Sequence, residues 1–119
     1  LPEHMEDNIK TFSPLKPLTD NERKTLDLAL KAYSKRLAVP CTSCRYCMPC
    51  PVGVEIPKIF GIYNQYKISG NKWQFKNNYK AIPEDSRASE CVNCKRCVKH
   101  CPQKIDIPEE LKKIAKEFA

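Results

Sequence analysis

Apolar residues recur at helical spacing in the first third of the chain. Four of them fall at intervals of four, three and four residues: Leu26, Leu30, Tyr33 and Leu37. This spacing places them on one face of a helix. Thr19 followed by Glu22 has the pattern of a capping box, and Pro40 closes the segment. The pattern predicts a helix over residues 20–38.

Three more helices are predicted downstream. Pro57 can occupy the first turn of a helix with a broad apolar face that stops at Gly70. Residues 71–81 form a weaker, aromatic-rich helical segment, and Pro108 opens a last helix. The residues of that helix expected to face inward are Leu111, Ile114, Ala115 and Phe118. No alternating run or hairpin turn indicates a strand. The sequence therefore predicts a mainly α domain.

The chain is expected to contain one domain and a linker. Residues 1–18 read as a short helical or irregular lead-in with a proline-punctuated linker from an upstream domain, and residues 19–119 as the helical domain. Because the chain begins with Leu1, we expect a piece of a longer or processed protein. No apolar run approaches the roughly 18–20 residues of a membrane span, and no secretion signal is seen. We expect a cytoplasmic location and no membrane partner.

Eight cysteines lie in two dense runs, CTSCRYCMPCP (41–51) and CVNCKRCVKHCP (91–102). The first three cysteines of each run correspond at an offset of 50. The following stretches, CPVGVEIPKIF (50–60) and CPQKIDIPEEL (101–111), correspond at an offset of 51, because the first run has one residue fewer before its last cysteine. This repeat predicts an internal duplication with two equivalent binding loops.

The spacing of the thiols predicts iron–sulfur clusters. Three cysteines at C-x2-C-x2-C can wrap one face of a cubane, and in two-cluster ferredoxins the fourth, followed by proline, ligates the other cluster. We therefore predict two [4Fe–4S] clusters, one held by Cys41, Cys44, Cys47 and Cys101 and the other by Cys91, Cys94, Cys97 and Cys50. Two alternatives stay open: the first cluster takes its four local cysteines, or one site is incomplete.

Other uses of the thiols fit the spacing less well. Zinc ribbons pair C-x2-C knuckles across a longer loop, and closely spaced cysteines would compete as disulfide partners. His100 lies in the second run without a counterpart in the first, so it is not expected to be a ligand. The aromatic residues are expected to pack in the core and shield the clusters: Tyr46, Phe60, Tyr63, Tyr66, Trp73, Phe75 and Tyr79.

The formal charge of +7 counts every thiol as neutral. Two oxidised clusters with four thiolates each would add about −2 apiece and leave about +3. Basic residues alternate with acidic ones along the chain, so a nucleic-acid partner is not expected. Four cations surround the second run: Lys95, Arg96, Lys99 and Lys104. They can be interpreted in two ways. In the first, they form an ordinary solvated surface. In the second, their charge raises the reduction potential of the second cluster or docks an acidic partner.

VPCTSCRYCMPCPVGVEIPKIFGIYNQY (39–66) and ECVNCKRCVKHCPQKIDIPEELKKIA (90–115) resemble the C-terminal ferredoxin-like domain of aldo/keto-reductase-type oxidoreductases. The short CRYCMPCP form is typical of that family, and NIKTFSPLKPLTDNE resembles the segment that joins barrel to domain. The resemblance implies an α-helical ferredoxin fold, with an upstream (β/α)8 barrel as partner. The barrel would carry the hydride-transfer residues, so no catalysis is expected from residues 1–119 alone.

Two functions are compatible with these features. In the first, the clusters relay single electrons between an unknown donor or acceptor and the parent oxidoreductase. In the second, the domain is a structural or interaction module whose clusters, or zinc, only stabilise the fold. Reversible reduction of the clusters would favour the first.

Overall fold

The computed structural model describes residues 1–118 and is mainly helical, as predicted. The α-helices are α1 (Pro2–Phe12), α2 (Asp20–Ser34), α3 (Ile56–Ser69), α4 (Lys72–Lys80), α5 (Arg96–Lys99) and α6 (Ile107–Phe118). Two 3-10 turns span Glu84–Ser86 and Ala88–Glu90, and none of residues 1–118 forms a β-strand. The chain divides into two compact units, Leu1–Ala32 and Tyr33–Ala119.

The first unit contains α1 and most of α2. The capping box is confirmed: the Glu22 carboxylate accepts from the Thr19 N–H at 2.7 Å, and the Thr19 hydroxyl accepts from the Glu22 N–H at 3.3 Å. The bond from the Thr19 backbone lowers the pKa of Glu22. No helix within residues 1–118 is both long and apolar enough to cross a bilayer. The assignment of residues 1–18 as an interdomain linker stays a prediction.

The helix predicted over residues 20–38 is four residues too long, because α2 ends at Ser34. Val39 is fully buried, and both its N–H and its carbonyl oxygen bond to the side chain of Asn64. The Val39 N–H is therefore not bonded to a carbonyl one helical turn earlier, and the chain is not helical just ahead of Cys41. Three residues of the apolar stripe are exposed: Leu26, Leu30 and Tyr33.

The second unit is built on α3, α4 and α6. Gly70 ends α3 in the left-handed conformation, and its N–H bonds to the Tyr66 carbonyl at 2.8 Å, as the sequence predicts for a helix stop. Asn71 caps α4 by accepting from the Gln74 N–H at 2.9 Å. The buried core residues are Val39, Val54, Ile56, Ile59, Phe60, Tyr63, Phe75, Tyr79, Ile82, Ala88, Ile105, Ile107, Leu111 and Ile114.

Aromatic rings join the three helices. Phe75 of α4 stacks on Tyr66 of α3 with ring centroids 4.8 Å apart. The ring centroids of Tyr79 of α4 and Phe118 of α6 are 4.2 Å apart. Two of the aromatic residues expected in the core are instead largely exposed, Trp73 at 75% and Tyr46 at 68%. Trp73 lies two positions before Phe75 on α4, so the two side chains leave the helix on different faces.

A polar contact also ties α3 to α6. The Glu117 carboxylate accepts from the Tyr63 hydroxyl at 2.7 Å and from the Lys67 ammonium at 2.6 Å. Partial burial acts to raise the pKa of Glu117, but the hydrogen bonds from Lys67 and Tyr63 outweigh it and hold the pKa below its ordinary value. Since Glu117 and Lys67 remain partly exposed, the pair stabilises the fold only modestly.

The internal duplication is visible in the backbone hydrogen bonds. Before the last cysteine of each run, corresponding bonds are offset by 50. The Met48 N–H bonds to the Arg45 carbonyl at 2.9 Å, and the Val98 N–H bonds to the Lys95 carbonyl at 3.2 Å. After the last cysteine, corresponding bonds are offset by 51. The Gly53 N–H bonds to the Cys50 carbonyl as the Lys104 N–H bonds to the Cys101 carbonyl. Likewise, the Ile59 N–H bonds to the Glu55 carbonyl as the Glu110 N–H bonds to the Asp106 carbonyl. The extra residue is therefore accommodated at the end of the second loop, where α5 forms.

Candidate metal centres

Both cysteine loops have the same alternating backbone. The residues on either side of the middle cysteine adopt positive φ: Ser43 and Arg45 around Cys44, and Asn93 and Lys95 around Cys94. L-residues rarely adopt this conformation, and it persists where the surrounding structure enforces it. Alternation of handedness turns successive N–H groups toward one side, which makes a concavity that attracts negative charge. The Ser43 N–H already donates to the Cys41 sulfur at 3.4 Å.

The eight thiols surround two separate pockets. The first pocket is lined by Cys41, Cys44, Cys47 and Cys101. The second is lined by Cys91, Cys94, Cys97 and Cys50. Each pocket thus combines three thiols of one run with the last thiol of the other run. All eight cysteines are free thiols.

Apolar side chains form the inner walls of both pockets. Pro57 and Phe60 at the start of α3 line the first pocket, and their repeat equivalents Pro108 and Leu111 in α6 line the second. Ile56, which is 1% exposed, lines both. One isoleucine side chain therefore forms a wall common to both pockets, and these apolar walls keep water from the inner side of each.

The thiols are more exposed in the middle of each loop than at its ends. Cys44 and Cys94 are exposed, whereas the other six cysteines are half-buried. Burial raises the pKa of Cys47, and burial also raises that of Cys97, to about 11. The neighbouring thiols in each pocket add to the shift, since thiolates repel one another. Four thiolates in one such pocket need a positive centre, which a metal cluster supplies.

The thiols are arranged around a volume and not around a point. Within residues 1–118, no three His, Cys, Asp or Glu side chains gather closely enough to bind a single metal ion. A tetrahedral zinc site holds its sulfur ligands about 2.3 Å from one ion. Two pockets, each ringed by four thiols, suit a cluster of several iron atoms better. His100 lines neither pocket.

Two buried side chains hold the chain in place just before each loop. Asn64 of α3 accepts from the Val39 N–H at 2.9 Å and donates to the Val39 carbonyl at 2.7 Å. Tyr79 of α4 accepts from the Ala88 N–H at 2.9 Å. Neither role is among the sequence-based predictions. A polar residue on the otherwise apolar face of α3 is the signal that would have indicated Asn64.

A duplicated helical unit with two four-thiol pockets defines an iron–sulfur domain of ferredoxin-like type. The family model of the 4Fe-4S dicluster domain matches residues 40–105, more than half of the chain, and the chain belongs to that family. It has an electron-transfer role and binds two [4Fe–4S] clusters, as the sequence predicts. No curated protein and no solved structure matches the chain.

Proposed function

We propose that this domain relays single electrons to or from the redox site of a parent oxidoreductase of aldo/keto reductase type. A [4Fe–4S] cluster, when bound, takes up and releases one electron. The observation that supports a relay most directly is that two four-thiol pockets share Ile56 as a common wall. Electron transfer between centres needs such proximity.

The ligand assignment that we propose is the crossed one. Cys41, Cys44 and Cys47 share their pocket with Cys101, and Cys91, Cys94 and Cys97 share theirs with Cys50. These groupings support one cluster bound by the first set and one by the second. The two repeats would then be joined by metal–sulfur bonds in both directions, in addition to their common core.

The residues around the thiols have distinct roles in this proposal. Ile56, Phe60 and Leu111 exclude water, which lowers the local dielectric constant around the bound charge. The backbone N–H groups near Ser43 and Asn93 offset the negative charge of the thiolates and sulfides. Cys44 and Cys94 are the exposed thiols of the two sets.

The parent enzyme and the location are further parts of the proposal. The resemblance of residues 39–66 and 90–115 to the aldo/keto reductase family supports a barrel upstream in the full protein. Eight free thiols are typical of a reducing compartment, which favours the cytoplasm. Sequencing the gene upstream of Leu1 tests the parent: an open reading frame that encodes a barrel supports it, and a start codon directly upstream contradicts it.

Iron counting in double variants tests the crossed assignment. If Cys50 and Cys94 bind the same cluster, Cys50→Ala/Cys94→Ala removes two ligands from one site and should leave about four irons of about eight. The matched variant Cys50→Ala/Cys44→Ala then damages both sites and should retain fewer. Local ligation predicts the reverse order. Iron and acid-labile sulfide are measured after anaerobic reconstitution, with circular dichroism to verify folding.

Reduction of the reconstituted chain tests the relay against a purely structural role. Dithionite should reduce the clusters, and the reduced protein should give a paramagnetic resonance signal broadened by interaction between two nearby spins. The signal should disappear on reoxidation and return on a second reduction. Clusters that stay oxidised at the lowest accessible potential would refute the relay and leave the structural role.

A further inference from the structure

The two cysteine loops carry positive charge that no acidic residue within them balances. Residues 41–54 and 91–104 contain no Asp or Glu. Their five cations are Arg45, Lys95, Arg96, Lys99 and Lys104, and all are exposed. Within the part of the chain that the structure describes, none of the five forms an ion pair, whereas Lys67, Arg87 and Lys113 do. These five cations exceed the charge of about −4 that two oxidised clusters would add, so the loops keep a net positive charge that a partner can meet.

An open groove lies between the two loops. Cys47 from the first pocket and Cys97 from the second both line it, so the groove is the place where a partner could contact thiols of both sets. Arg96 and His100 of the second loop and Tyr46 of the first also line it. Tyr46 is 68% exposed, which leaves an aromatic ring at the surface without a packing role in the core.

We propose, resting on the function proposed above, that this groove is where the domain exchanges electrons with a second protein, and that this protein presents an acidic surface. One electron leaves a one-electron carrier of the partner, a flavin or an iron–sulfur group, and is accepted by the domain, or passes in reverse. The donor is oxidised as the acceptor is reduced, and no bond breaks. Opposite charge at the contact raises the association rate and orients the partner.

Charge reversal at the groove provides the test. Arg96 lines the groove, and Lys99, three residues further along α5, is its neighbour on the helix surface outside the groove lining. Arg96→Glu/Lys99→Glu changes the net charge by −4. The matched control Lys72→Glu/Lys76→Glu makes the same change on exposed positions of α4, which line neither the groove nor a thiol pocket. A difference between the two variants therefore reports the position of the charge.

The first measurement is the reoxidation rate of the reduced two-cluster protein in stopped flow. The probes are hexacyanoferrate(III), an anion, and hexaammineruthenium(III), a cation, each of which accepts one electron. At low ionic strength, the groove variant should react about tenfold more slowly with the anion and faster with the cation, whereas the control should change much less. High salt should remove these differences. Equal effects of the two variants would overturn the proposal.

The second measurement is binding, which does not depend on turnover. Poly-L-glutamate should bind the wild type and the α4 control at low ionic strength in calorimetry, and the groove variant should bind it at least tenfold more weakly. Unchanged binding by the groove variant, or tighter binding of a single-stranded oligonucleotide than of poly-L-glutamate at the groove, would refute an acidic protein partner. Clusters that cannot be reduced would contradict the proposed relay, and the binding result would still decide the docking surface.

Discussion

The contact between Asn64 and Val39 should control both the stability of the domain and the retention of iron in the first pocket. Asn64→Leu leaves the Val39 N–H without a partner at a residue that is 0% exposed, whereas the Val39 carbonyl keeps its bond from the Cys41 N–H at 2.8 Å. The orphaned N–H costs about 2 kcal/mol, within a range of about 1–3 kcal/mol, and the bond lost at the carbonyl costs about 1 kcal/mol. The apolar leucine returns about 1.5 kcal/mol. We therefore expect Asn64→Leu to destabilise the domain by about 1.5 kcal/mol.

The effect on iron should be local. Val39 lies two residues before Cys41, so loss of its anchor frees the first loop more than the second, which is held by Tyr79. Anaerobic urea unfolding followed by circular dichroism gives the stability, and transfer of iron to a chelator below the unfolding midpoint gives the retention. Half of the iron should leave faster than in the wild type.

A neighbouring position on the same helix provides the control. Gln65→Leu replaces an exposed side chain of α3 and should leave stability and iron release close to those of the wild type. An Asn64→Leu protein that unfolds within about 0.5 kcal/mol of Gln65→Leu and releases iron at the same rate would contradict an anchoring role for Asn64.

Three further predictions concern the core, the loops and pH. Ile56→Ala opens a void between the two pockets and should cost about 2–5 kcal/mol in urea unfolding, with faster iron loss from both sites. Gly53 has a φ of +79°, so Gly53→Ala should lower the free energy of unfolding by about 1 kcal/mol. Gly61 lies in a helix with open space around it, so Gly61→Ala should raise the free energy of unfolding by up to about 1 kcal/mol. Equal effects of the two substitutions would contradict a role for the backbone conformation of Gly53. The pKa of Glu117 is lower in the folded state than its ordinary value of 4.5. Ionised Glu117 therefore stabilises the fold above pH 4.5, and this stabilisation is lost as the pH falls through the folded-state pKa. Glu117→Gln should therefore be less stable than the wild type at pH 7 by at most about 1 kcal/mol and equal to it well below pH 4.5.

The features that the sequence predicts well are those set by short-range chemistry. The capping box at Thr19, the stop at Gly70 and the start of α6 each depend on residues within one helical turn. The duplication was also predictable, because the two runs share their cysteine spacing and the Cys-Pro step that follows. The matching hydrogen bonds around Gly53 and Lys104 have the same origin.

The features that the sequence does not predict depend on contacts between distant residues. The partner that holds Val39 in place before the first loop is Asn64, which lies 25 residues further along the chain. The exposure of Trp73 depends on which face of α4 packs against α3, and composition does not specify this. The groove beside Cys47 and Cys97 forms only when the two loops fold side by side. Periodicity and spacing describe each element separately and contain none of this information.

The shared walls and mixed thiol sets of the two pockets bear on how the chain behaves when iron is scarce. Since each pocket needs residues from both repeats, filling one of them already brings together the scaffold of its neighbour. The second cluster should then bind more tightly than the first, because the chain has already lost its conformational entropy on binding the first. A cell with limited iron would hold mostly empty and fully loaded molecules, with few half-loaded ones that could accept an electron and have no second centre to pass it to.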